Sequence, residues 1–335
     1  MTPFHKNLPT IDVIIVNYCT RTLVVACLDS LEMERKNVPN MRVIVVDNDS
    51  QDGSAELIEA VIQDREWHWV TLLRAGANRG FGAGNNLGIS FALDQPSPAD
   101  LLWFLNPDTE VRLTAGQSLA RFMGSHPAAG IGGSALLESD GKPWPFAFRF
   151  PSILGEIERG ARWGILSRLL RKSSTLKRME GRCEQVDWVS GASFVVRREL
   201  MESGLRFDEG YFLYYEETDF CLHARRRGWE CWYVPDAVVL HIAGQSTGVT
   251  GKQIKLRRLP SYWFHSRRRY FTKNHGRLYG IAADLAWIGA HIFSRLKHMV
   301  RGSDDPDPPN LLIDFLRHSS LVPRKFLAPR DVISV

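Results

Sequence analysis

Three segments of this chain carry side chains that can do chemistry at a spacing that lets them act together. Asn106-Pro107-Asp108 directly follows the apolar run Leu101-Leu102-Trp103-Phe104-Leu105. Such a run has the character of a strand covered on both faces, and in an open α/β sheet ligands bind beyond the carboxyl ends of the strands. A carboxylate there suits a hard cation that bridges phosphates. Taken alone, an Asn-Pro-Asp turn is more often chain punctuation. Glu216, Glu217 and Asp219 place three carboxylates within four residues at the start of a helix. The helix dipole favours acids at that position. A carboxylate emerging from the apolar wall Phe212-Leu213-Tyr214-Tyr215 can also have a raised pKa and act as a general base. His241 ends a strand-like segment, where an imidazole could complete a metal site with Asp108.

Two further segments fit a nucleotide. Val45-Val46-Asp47-Asn48 ends a second strand beside Val16-Asn17-Tyr18 at the end of the first. A carboxylate so placed can hydrogen-bond a base or a ribose. Asp49 and Ser50 already supply capping groups for the next helix, which leaves Asp47 for a ligand. The segment from Asn78 to Asn86 contains Gly80, Gly82 and Gly84 and opens a helix. Glycines permit close approach of a backbone to a ligand, and a helix N-terminus favours phosphate. A purely structural glycine turn is the competing explanation. The dinucleotide fingerprint is excluded, because it belongs after the first strand and this segment follows the third.

The elements that position these groups alternate. Strands are expected over 11–16, 41–46, 69–73 and 101–105, and helices over 20–35, 54–64 and 83–93. This alternation predicts an α/β fold with a mostly parallel sheet and helices on both faces. Beyond Asp108 the pattern predicts a helix over 114–125, an insertion or mobile loop over the polar, basic residues 152–185, and a return to the core at 188–196. A helix then runs from Glu216 to Arg227 with Gly228 as its cap, followed by strands at 231–234 and 238–241. The expected organisation is one domain over 1–245, divided into a nucleotide-binding half (1–110) and an acceptor and catalytic half (111–245), with a helical, basic extension over 246–335.

Composition is that of a globular protein, 44% apolar and 24% charged. The net charge of +5 is local, since Lys252 to Arg277 holds nine lysines and arginines and no acid. Aromatic residues interleave with them. Among nucleic acid, the chain's own acids and anionic lipid, the last is the favoured partner, because basic residues and aromatics both suit a bilayer interface. Nothing else in the chain suits nucleic acid. Five scattered cysteines fit a reducing compartment. The N-terminus lacks a signal-peptide core and no apolar run reaches the ~18 residues of a spanning helix. Leu278 to Phe293 therefore reads as a core or subunit-contact helix rather than an interfacial one. The expected location is the cytoplasm, peripheral on the inner face of the membrane, with a homo-oligomer possible.

In order, the segments VIIVNY, VDNDSQDGS, NRGFGAGNN, FLNPDTEV, WVSGASFVVRRE and FDEGYFLYYEETDFCLHARRRGW followed by VVLH resemble the family 2 inverting glycosyltransferases of GT-A fold. The likeness is strongest to bacterial rhamnosyltransferases and galactofuranosyltransferases of cell-surface polysaccharide assembly, and it covers roughly residues 11–275. It implies a dTDP-, UDP- or GDP-sugar donor, dTDP-L-rhamnose foremost, a glycan or lipid-linked glycan acceptor, and Mg²⁺ or Mn²⁺. By the same resemblance Asn17 and Asp47 contact base and ribose, and Asn78, Gly80 and Asn85 border the nucleotide and sugar. Asn106 and Asp108 match the Asp-x-Asp element, with Asp108 and His241 as metal ligands. Asn106 replaces the first acid and leaves the metal one anionic ligand fewer. Glu217 matches the catalytic carboxylate, with Asp219 in support. The competing classes are a non-catalytic carbohydrate- or nucleotide-binding protein and a nucleotidyltransferase. The latter needs a Gly-rich, Lys/Arg-bearing loop after the first strand, where this chain has Asn17-Tyr18-Cys19-Thr20-Arg21.

Overall fold

Strands and helices alternate from Ile11 to Leu105 as the hydrophobic pattern predicts: β1 (Ile11–Asn17), α1 (Arg21–Glu34), β2 (Arg42–Asp47), α2 (Ser54–Asp64), β3 (Val70–Arg74), α3 (Phe81–Leu93) and β4 (Leu101–Leu105). The computed structural model describes residues 8–143, 147–177, 179, 181–242, 258–302 and 307–323. Every residue of β1 and β4 is buried, as uninterrupted apolar strands require when helices cover both faces. Asp12 is a buried polar residue near the start of β1, and Arg42 meets it with two hydrogen bonds of 2.7 Å. α3 lies close on this sheet because it is glycine-rich. A Cβ at Gly84 would stand 2.7 Å from Val16, and one at Gly88 2.6 Å from Ile14.

The second half comprises β5 (Thr109–Val111), α4 (Ala115–Ser125), β6 (Ala129–Leu137), β7 (Ala147–Phe148), α5 (Ile153–Ala161), α6 (Gly164–Leu169), β8 (Glu184–Val186), β9 (Trp188–Val189), β10 (Ser193–Arg197), α7 (Arg198–Glu202), α8 (Glu216–Arg226) and β11 (Glu230–His241). The main sheet runs β3-β2-β1-β4-β10-β6-β11-β5, with β8 paired to β11. β3, β2, β1 and β4 are parallel, β10 is antiparallel to both of its neighbours, and β6 and β11 are again parallel. Reversal at β10 has a functional consequence. It brings the start of β10 to the edge where β1, β2, β4 and β11 all end. The two short strands expected at 231–234 and 238–241 are one, β11, whose register shifts between Val234 and Val238. Pro235, which has no N–H to give to a ladder, lies in that shift.

Residues 152–185 are not simply a loop. Ser152 caps α5 by accepting a hydrogen bond from the Gly155 N–H (3.1 Å); the C-terminal region comprises α9 (Ser261–His275), α10 (Arg277–Arg301) and α11 (Leu311–His318), and α5 packs on α10. The basic run also departs from expectation. Lys252, Lys255 and Arg257 lie outside the described residues, but the remainder is largely turned toward the chain's own acids. Arg267 is buried between Glu156 (2.7 Å) and Asp284. Arg258 pairs with Asp314, and Arg269 and Lys273 with Asp208, all at 2.7 Å. Asp284 and His291, which interrupt the apolar run of α10, sit on its buried face. Asp284 accepts from Arg267 and from the Ser320 N–H (2.6 Å), and His291 stacks on Trp287 at 4.5 Å. That face is core, as the spacing predicts.

Candidate active site

The edge where the parallel strands end carries two differently built clusters. At the ends of β1 and β2, Asn17 and Asp47 are in register and both buried. The Asn17 Nδ2 donates to Asp47 Oδ1 (2.8 Å), Thr20 Oγ1 donates to Asn17 Oδ1 (2.7 Å), and the Ser50 N–H donates to Asp47 Oδ2 (3.0 Å). Asn48, which the motif reading passed over, links this cluster to the next loop. Its Nδ2 donates to Asn78 Oδ1 (2.9 Å) and to the Gly80 carbonyl (3.2 Å). Asn78 Oδ1 also accepts the Gly80 N–H (3.0 Å). Asn85 is buried and donates to the Phe81 carbonyl at 3.0 Å. The glycines of this segment serve packing: Gly80 has φ +94, and a Cβ there would stand 2.2 Å from the Phe212 carbonyl oxygen. Gly80 is therefore the point at which α3 touches the turn before α8.

The second cluster lies at the ends of β4 and β11 and at the start of α8. The turn after β4 buries Asp108, which is 4% exposed. Pairing of β11 with β5 sets His241 opposite Thr109, and His241 Nε2 stands 3.4 Å from Asp108 Oδ1. That carboxylate oxygen is buried without a hydrogen-bond partner among the described residues. Asn106 is tied to the loop before β10, its N–H donating to the Ala192 carbonyl at 2.9 Å. Next along that loop, Gly191 faces Glu217, and a Cβ at Gly191 would stand 3.5 Å from Glu217 Oε1. Sequence reading took 188–196 only as a return to the core. The Ser190-Gly191-Ala192 turn lies within WVSGASFVVRRE, one of the segments that carry the family resemblance.

α8 begins under unusual backbone constraint. Tyr214 and Tyr215, neither a glycine, both have φ +70, a region that L-residues adopt only when their surroundings enforce it. α9 supplies the enforcement. Ser266 Oγ donates to the Leu213 carbonyl (2.9 Å), Tyr262 stacks against Tyr214, and Tyr270 packs on Tyr215. The turn delivers Glu216 buried and Glu217 half-buried, each with a buried Oε2 that makes no hydrogen bond among the described residues. Burial raises the pKa of both carboxyls. Glu216 rises further because it also faces Glu217, whereas the backbone N–H groups of Glu217, Gly191 and Thr218 oppose the rise at Glu217. Asp219 differs. It accepts hydrogen bonds from Tyr211 Oη (3.1 Å), Lys273 Nζ (2.6 Å) and Asn274 Nδ2. This carboxylate joins α8 to α9.

Among the described residues no group of three or more histidines, cysteines and acids could hold a metal. Asp108 and His241 nevertheless fit a cation that takes its remaining ligands from a diphosphate and water. They offer a buried carboxylate oxygen that accepts no hydrogen bond among the described residues beside an imidazole nitrogen, donors suited to Mg²⁺ or Mn²⁺.

Known proteins share this layout. Residues 12–202 match the family described as glycosyl transferase family 2. The chain is 30% identical over 217 residues to N-acetylglucosaminyl-diphospho-decaprenol L-rhamnosyltransferase of Mycobacterium tuberculosis, covering 62% of this chain and 68% of that protein. It is 25% identical over 225 residues to rhamnosyltransferase WbbL of Escherichia coli strain K12, covering 60% and 83%. Among solved structures, GalNAc-T7 with UDP, GalNAc and Mn²⁺ aligns with TM-score 0.57 at 14% identity, over 90% of this chain and 56% of that one. The mannosyltransferase PcManGT from Pyrobaculum calidifontis, in complex with GDP-Man and Mn²⁺, aligns with TM-score 0.56 at 14% identity, over 92% and 79%. The fold is therefore GT-A, with a mixed, mostly parallel sheet, flanking helices and a helical C-terminal region. The chain belongs to glycosyl transferase family 2.

Proposed function

We propose that this glycosyltransferase inverts the anomeric carbon of a nucleotide-diphosphate sugar while moving the sugar to a hydroxyl of a saccharide or lipid-linked glycan acceptor. L-Rhamnose from dTDP-L-rhamnose is the proposed donor, in keeping with the two rhamnosyltransferases among its relatives. The observation that carries the reading is Glu217. Its unpartnered oxygen belongs to the turn that faces Gly191, and the neighbouring Ala192 is bonded to Asn106 of the turn that buries Asp108.

Glu217 accepts the proton of the acceptor hydroxyl as that oxygen attacks the anomeric carbon from the face opposite the diphosphate. A raised pKa keeps the carboxylate basic enough for this transfer near neutral pH. A single displacement of this kind inverts the carbon and needs no carboxylate nucleophile. Asp108 and His241 would hold Mg²⁺ or Mn²⁺, which when bound neutralises the charge developing on the diphosphate. Asn17, Asp47 and the Asn78 to Asn85 segment shape the nucleotide end, largely through a preformed backbone. The test is incubation with a panel of dTDP-, UDP- and GDP-sugars, following nucleotide diphosphate release with and without metal and the product's anomeric configuration by NMR. Release of dTDP with formation of an inverted glycoside is expected. A retained configuration, or no release from any donor, would refute the reading.

A further inference from the structure

We propose that α6 and the outer face of α10 form a surface that docks on an anionic lipid bilayer, separate from the basic run of α9 and independent of the transfer chemistry above. α10 is buried on one side and apolar on the other. Leu278, Leu285, Ile292 and Met299 recur every seventh residue on the outer side and are 84%, 54%, 44% and 71% exposed. Phe293, Leu296 and Val300 widen this stripe toward the C-terminal end. From Leu285 to Met299 the stripe is about 20 Å long at the helical rise.

α6 extends the same surface. The Lys297 ammonium donates to the Ala161 and Arg162 carbonyls (3.2 and 2.7 Å), and the ring of Trp163 lies 5.6 Å from that of Phe293. This fixes the start of α6 beside the outer end of α10. Ile165 and Leu169 are 59% and 75% exposed. A continuous cluster of exposed apolar side chains on one face marks an interaction site rather than ordinary surface.

Charge selects the occupant. Between Glu158 and Glu180 the sequence has seven lysines and arginines and no acid, of which Arg159, Arg162 and Lys177 pair with Glu156, Asp307 and Glu184, and α10 has no acid after Asp284. Arg168, Arg171, Lys172 and Arg301 are all exposed around the apolar cluster. A second copy of this chain, paired face to face through the patch, would bring these like charges together at the cost of repulsion. An anionic bilayer meets both features. Apolar side chains enter the headgroup and acyl boundary, the aromatic pair sits at headgroup level, and the basic rim meets lipid phosphates. No helix of the described residues is long and apolar enough to cross a membrane, and the proposed attachment lies in the interface.

The experiment is co-sedimentation of the full chain with vesicles of equal parts phosphatidylglycerol and phosphatidylcholine, or of phosphatidylcholine alone, at low and high salt. Wild type is expected on anionic vesicles at low salt and to leave them at high salt. The double variant Arg171→Gln/Lys172→Gln should partition on the order of 30-fold more weakly, from about tenfold per 1.4 kcal/mol and the usual contribution of each basic group. Leu169→Ser/Met299→Ser should partition at least about tenfold more weakly, through lost apolar insertion. Circular dichroism melts should match wild type in both, because all four side chains are exposed. The control Lys36→Gln/Arg121→Gln, which removes two exposed charges elsewhere, should bind as wild type does. Equal loss in the control, indifference of wild type to anionic vesicles, or a wild-type dimer in sedimentation velocity that Leu169→Ser/Met299→Ser dissociates would each overturn the proposal. Donor binding measured by calorimetry reports separately on the transfer site.

Discussion

The two clusters on the carboxyl edge of the sheet differ in how completely their polar groups are answered. At the ends of β1 and β2, Asn17, Asp47, Thr20 and Ser50 satisfy one another. At the end of β4 and the start of α8, Asp108, Glu216 and Glu217 each keep a buried oxygen without a hydrogen bond among the described residues. A buried polar atom left unpaired costs on the order of 1–3 kcal/mol, so three in one neighbourhood form a costly arrangement that structure alone does not require. The contrast repeats within α8, where Asp219 is saturated two residues from Glu217. On the function proposed above, the satisfied cluster would be scaffold for a nucleotide, and the unsatisfied one would be where reacting groups and a cation belong.

The largest effect that sharpens this contrast belongs to Glu217. Glu217→Gln should lower kcat by ~10²–10⁴ with donor affinity retained, because it removes a positioned base and little else. A loss of donor affinity with kcat unchanged would move Glu217 out of the reacting cluster. Next in size, Asp108→Ala and His241→Ala should each weaken Mn²⁺ binding, followed by electron paramagnetic resonance, by more than about tenfold, since changes even to groups behind a metal ligand reach that size. Asp219→Asn tests the satisfied side. It should lower unfolding stability by about 2 kcal/mol, the worth of hydrogen bonds to a charged group, while kcat falls far less than in Glu217→Gln. Chemical denaturation beside steady-state kinetics separates the two outcomes.

The smallest effect concerns Glu216. Burial and the neighbouring Glu217 raise its folded pKa, so the folded state prefers it protonated. Its contribution to stability is fully present below the unfolded value of about 4.3 and is lost as pH rises through the folded pKa. Glu216→Gln should therefore stabilise the protein by about 1 kcal/mol or more at neutral pH, and the gain should vanish near pH 4. Thermal melts across that range decide it. Equal melting temperatures for variant and wild type at neutral pH would place Glu216 among the satisfied acids.

Much of the scaffold was legible because local rules govern it. Apolar runs gave the buried strands and their ends, and α2 spans 54–64 as its pattern predicts. The convergence of Asp108 and His241, 3.4 Å apart, was legible because each is a polar residue that stops an apolar strand. Partnerships over long separations were not. The arginines of α9 read as a lipid-facing patch because their acids, Glu156, Asp208 and Asp284, come from other segments, in one case 111 residues away. The same blindness hid the partners of Asp219, since Lys273 and Asn274 stand far along the chain. Gly80, Gly82 and Gly84 read as a loop open to a ligand because composition alone does not reveal that a Cβ there would meet Phe212, Phe207 and Val16. By contrast, Ser152 signalled the start of α5 locally, and the polar composition around it obscured that signal.

The pH dependence of kcat/KM tests the central claim most directly. If Glu217 is the base, activity requires it ionised, and burial has raised its pKa. Activity should then fall on the acidic side through a limb displaced upward from the ordinary glutamate value of about 4.3, and the residual activity of Glu217→Gln should lack that limb. A limb at the ordinary carboxylate value, or the same limb in wild type and Glu217→Gln, would contradict the assignment.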